Sequence, residues 1–149
     1  MNPTSKKAIH AKGQKEVEFN TFTLYNIKQD NTGRILDAKR AIKYKEYMNF
    51  YDVNLTDELG HILLSNKAVY SNDTVYMRKN VKISRDDGIR MFTDSLNYNI
   101  PAQIVTTQDS FLLEFNKSVV RGKKLELQLQ KKTISAYNVD ASIWFAPQQ

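Results

Sequence analysis

Along most of the chain apolar and polar residues alternate one for one. Phe111, Leu113 and Phe115 alternate with Leu112, Glu114 and Asn116, and Leu125, Leu127 and Leu129 alternate with Glu126, Gln128 and Gln130. Val81 and Ile83 alternate with Lys82 and Ser84, and Val139, Ala141, Ile143 and Phe145 with Asp140, Ser142 and Trp144. A period of two places alternate side chains on opposite faces of a pleated strand, so these segments predict half-buried β-strands. No segment carries a convincing helical repeat. Residues 36–48 could be read as a helix, but Ile42, Tyr44 and the flanking turns favour a strand.

The strands recur. Turn signals stand at Asn31-Thr32-Gly33, Asp57-Glu58-Leu59-Gly60 and Asp86-Asp87-Gly88, with glycines 27 and 28 residues apart, and Asn116-Lys117-Ser118 falls where a fourth is due. Ala41 and Tyr44 are echoed by Ala68 and Tyr70, by Leu96 and Tyr98, and by Leu125 and Leu127. The chain divides into units at about 22–49, 50–79, 80–108 and 109–138, with a last strand at 139–145. Repeats of this length stack so that neighbours bury a shared interior. The expected fold is all-β: an open, twisted β-jellyroll in which each unit adds antiparallel strands to two facing sheets. Gly33 and Gly88, each in an Asn/Asp-x-Gly context, are expected at positive φ.

Carrying the alternation through each strand gives an inward set of Leu24, Phe50, Ile62, Leu64, Val81, Ile83, Met91, Leu96, Tyr98, Phe111, Leu113, Phe115, Leu125, Leu127 and Ile143. On periodicity alone these residues read as a dry core rather than an apolar groove.

Composition narrows the chemistry. The 149 residues suit one domain, and with no Cys there is neither a disulfide frame nor a thiol nucleophile. The formal charge is +6, but Lys6, Lys7, Lys12 and Lys15 with no acid supply +4 of it within residues 1–15. Most of the excess therefore sits on a polar leader rather than on the folded body, which is weak support for a nucleic-acid partner. Basic residues beside aromatics at Arg40, Lys43, Tyr44, Lys45 and Tyr47, and a second patch at Arg121, Lys123, Lys124, Lys131 and Lys132, fit a polyanion surface or the wet face of a strand. Only His10 and His61 are present, with no phosphate loop, nucleophile elbow or metal-ligand spacing. The acidic pairs Asp57-Glu58 and Asp86-Asp87 sit in turns, where solvated acids are common. The residues argue against an enzyme.

The motifs, in order, resemble those of the LptC family, the periplasmic component of lipopolysaccharide export. They are NPTSK at 2–6, LYNIKQDNTGRI at 24–35, AIKY at 41–44, NKAVY at 66–70, VYMRKNVKI at 75–83, MFTDSLNYN at 91–99, VVRGKKLEL at 119–127 and AYNVDASIWF at 136–145. LptA and the N-terminal part of the outer-membrane component share that fold, so an LptA-like bridge is the near alternative. The resemblance implies a single-pass inner-membrane anchor ahead of the domain. Residues 1–21 would be a juxtamembrane leader and 22–146 the β-jellyroll on the periplasmic side of the membrane. It turns the inward set into a lipid-binding groove that receives lipopolysaccharide from the LptB–LptF–LptG transporter and passes it to LptA.

Open stacks of strands leave unpaired backbone groups at both ends, which other sheets can extend. The resemblance places LptF and LptG at the N-terminal edge, near Gly33. It places LptA at the C-terminal edge, through Val139, Ala141, Ile143, Trp144 and Phe145. The same edges would serve a homo-oligomer. A nucleic-acid or anionic-polymer module and a carbohydrate-active enzyme remain the competing classes.

Overall fold

A computed structural model describes residues 15–25, 34–57 and 59–144. Period-two segments form β1 (Lys15–Tyr25), β2 (Arg34–Tyr44), β3 (Met48–Thr56), β4 (His61–Ser71), β5 (Thr74–Arg85), β6 (Arg90–Asn99), β7 (Ile104–Phe115), β8 (Ser118–Gln128) and β9 (Thr133–Ser142). The fold is all-β. The nine strands form one antiparallel sheet in sequence order, so each is hydrogen-bonded only to its chain neighbours, and β1 and β9 are the open edges.

The two facing layers are halves of this single sheet, creased across the middle of its strands. Pairing is interrupted there between Leu64 and Lys67, Arg78 and Val81, Thr93 and Asn97, and Thr107 and Ser110. Non-glycine residues at positive φ follow the same line: Thr21, Asp52, Lys79, Asn80, Lys124 and Asn138. Such backbone costs roughly 1–2 kcal/mol per residue, so it persists only where the folded sheet over-determines it. Three buried hydroxyls bond backbone groups where the ladder breaks. Ser65 donates to the Lys67 carbonyl at 2.8 Å, Thr93 donates to the Ser110 carbonyl at 2.9 Å, and Thr107 accepts from the Asp109 N–H at 3.0 Å.

The first leaf runs from the crease to the turns at 57–60, 86–89 and 116–117, which are the recurrent turns of the sequence. Gly88 has φ 94°, as its Asp-Asp-Gly context predicts. The fourth turn manages without glycine, because Asn116 and Lys117 themselves adopt φ 47° and 67°. Gly33 lies outside the described residues. The second leaf runs to the turns at 45–47, 72–73, 100–103 and 129–132.

Side chains from both leaves meet in one apolar cluster that extends from Leu36 on β2 to Leu129 beside β8. Its largest fully buried members include Tyr98, Phe50, Leu55, Leu63, Met77 and Met91. Each buries an area worth about 1.5–3 kcal/mol. Among the described residues no helix is long and apolar enough to cross a membrane.

Candidate functional site

The interior between the leaves is continuous from edge to edge. Phe50, Val81, Ile83, Met91, Leu96, Tyr98, Phe111, Leu113, Leu125 and Leu127 of the expected inward set are buried in it, and Leu24 and Phe115 are half-buried against it. Three positions depart from expectation. Ile62 is 43% exposed and Leu64 is half-buried, because His61, Leu63 and Ser65 face inward in their place. The crease causes this. Successive inward residues are normally two apart, but across the fold line β4 steps by three, from Ser65 to Ala68. The phase read back from Ala68 and Tyr70 is therefore reversed in the first leaf. Similar three-residue steps occur from Ala38 to Ala41, Val53 to Phe50, Thr93 to Leu96 and Gly122 to Leu125, whereas β5 and β7 step by four and keep phase.

Ile143 is the third departure. It follows β9, has no strand beyond it and is 46% exposed. The last strand itself begins at Thr133, earlier than the expected 139. Core residues that the alternation did not single out, such as Val53, Leu55, Leu63, Met77 and Val105, lie beside these phase changes or in strands whose polar partners are weakly marked.

The edges present apolar residues on the core side. Phe19 pairs with Ala41, Phe22 with Ala38 and Leu24 with Leu36 on β1. On β9, Ile134 pairs with Leu127 and Ala141 with Val120. Partners directly opposite in a ladder share a face, so Ile134 and Ala141 lie on the inner side, exposed for want of a further strand. Of the expected docking residues, Val139, Ala141, Ile143 and Trp144 are all exposed at this edge, and Phe145 lies outside the described residues.

Apart from the hydroxyls at the crease, buried polar chemistry includes a pair at the margin of the first leaf. The Asp57 carboxylate meets His61 Nδ1 at 2.9 Å and accepts the Leu59 and His61 backbone N–H groups, each at 2.9 Å. Burial opposes the charged carboxyl, but these hydrogen bonds outweigh it and hold Asp57 below the ordinary carboxylate value. Burial, together with the Asp57 charge, pushes the Tyr98 phenol up. In the β5–β6 turn, the Arg85 guanidinium holds exposed Asp87 down at about 2. Asp57 and His61 serve each other and the turn, and no group of acidic or histidine side chains among the described residues is arranged to hold a metal.

The first basic patch is largely neutralised. Arg40 pairs with Glu18 at 2.7 Å and lies over the Tyr51 ring, and Lys43 pairs with Glu16 at 3.2 Å. On the outer face of the first leaf, a hollow of about 930 Å³ is floored by Phe92 and Leu112 and rimmed by Lys82, Asp94, Arg121 and Asp140.

A one-sheet meander, creased over a continuous apolar interior with both edges unpaired, defines the open β-jellyroll or taco class. Within that class, the lipopolysaccharide-assembly, LptC-related family matches residues 56–142, from the end of β3 through β9. The match spans more than half of the chain, and the chain belongs to that family, as its motifs suggested. The family acts in lipopolysaccharide transport. No curated protein matches the chain.

Proposed function

We propose that this domain shelters the acyl chains of lipopolysaccharide between its two leaves during transfer from the inner membrane toward the outer membrane. The observation that carries this is the unbroken apolar interior, which reaches both unpaired edges. Each CH₂ exposed to water costs about 0.8 kcal/mol, so a chain of a dozen methylenes needs continuous cover. Sugars and phosphates would remain outside the leaves.

In this reading the domain stands on the periplasmic side of the inner membrane. The β1 edge joins the LptF–LptG side of the transporter and the β9 edge joins LptA. Edge-to-edge strand pairing would align the interiors of successive proteins, and lipid would not enter water between them. Neither a cofactor nor bond chemistry has a place in this function. A photo-reactive benzoylphenylalanine at Phe111 tests it: lipopolysaccharide should be captured there and not at an outward position such as Ser84. Equal labelling at both would defeat the proposal.

A further inference from the structure

The interior that must accept lipid is closely packed, with the core side chains from Leu36 to Leu129 at most 7% exposed. Where the first and second leaves meet, between Ile83, Met91 and Leu113 on one side and Leu127, Leu129 and Ile134 on the other, the cavity measures about 10 Å³. Sites that hold ligands span about 300 Å³ or more. Lipid therefore requires the leaves to separate. Within each leaf the backbone ladder resists parting, whereas between leaves only side chains touch.

At one place the free margins of the two leaves are joined by charge. Lys132, in the turn at the second-leaf margin, reaches Asp86, in the turn at the first-leaf margin, with Nζ 3.8 Å from Oδ1. Both side chains are well exposed, and the contact is long, so the pair is weak and screened. It lies at the mouth of the small cavity, which Lys132 itself lines. The crease opposite, with left-handed backbone at Lys79, Asn80 and Lys124, is the line about which the leaves would turn.

From this geometry we infer that the seam between the β5–β6 turn and the β8–β9 turn is where the leaves part so that acyl chains pass into the interior while sugars and phosphates stay outside, with Lys132–Asp86 as its latch. A lipid phosphate takes the place of the Asp86 carboxylate at Lys132, with up to twice the charge and more acceptor oxygens. The same exchange frees the seam and brings the acyl chains against Met91 and Leu129. The inference rests on the acyl-sheltering function proposed above.

The chain contains no cysteine, so two can be placed at will. Asp86→Cys with Lys132→Cys, joined after folding by a short, reducible bis-maleimide, closes the seam while leaving the paired residues of β1 and β9 unchanged. With benzoylphenylalanine at position 111, lipopolysaccharide labelling should fall at least tenfold in the bridged protein and return on reduction, while the melting temperature does not fall. Undiminished labelling in the bridged protein would show that the leaves need not part there and overturn the seam alone. Failure of the protein with benzoylphenylalanine at 111 and native Asp86 and Lys132 to label would overturn the sheltering function and the seam with it. Single changes separate latch from phosphate contact: Asp86→Ala should speed labelling several-fold and Lys132→Ala should not. Identical rates in the two variants would remove the exchange at Lys132.

Discussion

The two edges of the sheet look equivalent in topology and differ in how they are held. β1 has a ladder to β2 that is interrupted only near its ends. It is also tied by Glu18–Arg40, Glu16–Lys43 and a 2.9 Å hydrogen bond from Thr23 to Asp37. Its inner face is stacked through Phe19 and Phe22 onto Phe50, with ring centroids 5.5 and 5.4 Å apart. The ladder from β8 to β9 is broken twice near its middle, around Arg121, Lys123 and Glu126. Beyond it the chain is pinned by the Trp144 N–H on Ser118 Oγ at 2.8 Å and by Lys117 4.8 Å above the Trp144 ring. An edge held by side chains as well as backbone is a fixed wall, while an edge held mainly by a broken ladder is free to exchange partners. In the transfer proposed above, the fixed edge would be the one that stays attached and the free edge the one that hands over.

The largest test of this contrast is Phe50→Ala. Loss of the ring on which Phe22 rests should destabilise the fold by about 3–5 kcal/mol. Amide exchange should show β1 losing protection first, with β9 unchanged; simultaneous loss at both edges would end the distinction. Gly122→Val should act at the other edge. A Cβ there would come within 2.9 Å of the Phe111 ring and 3.1 Å of the Tyr137 carbonyl. The overpacking should cost about 1–3 kcal/mol in a denaturant melt, loosen β9 in exchange, and be partly relieved by Phe111→Leu.

Asp57→Ala is expected to cost about 1–3 kcal/mol by stranding the His61 ring and two amide donors, and it should weaken the two edges alike. Because the folded-state value of Asp57 is depressed, its contribution is complete above the ordinary carboxyl value of 3.8 and lost as pH falls through the lowered one. Acid melts of the variant should therefore lack that part of the wild-type decline. Val139→Asp should change stability by less than about 0.5 kcal/mol, since the residue is exposed, yet reduce LptA capture at least tenfold. Full capture by the folded variant would take docking away from β9. The smallest effect belongs to Arg40→Ala: its exposed pair with Glu18 should produce a melting-temperature change that vanishes at high salt.

What the sequence by itself determined is local. Strand periodicity follows from the pleat, which each segment displays without reference to any other. The recurrent turns follow from residues such as Gly88 and Asn116 that tolerate left-handed backbone. Those two signals suffice for an all-β meander and for the inward phase at Phe111–Leu113 and Leu125–Leu127, where the phase is not carried across the crease. Only the tertiary structure decided where the sheet creases. No glycine marks the fold line at Asp52, Lys79 or Lys124, because the left-handed backbone there is imposed by two leaves closing on each other. The three-residue step at Ser65–Ala68, the outward turn of Ile62 and Leu64, and the meeting of Asp86 with Lys132 all descend from that closure. Each depends on residues far apart in the chain, and a period of two carries no record of them.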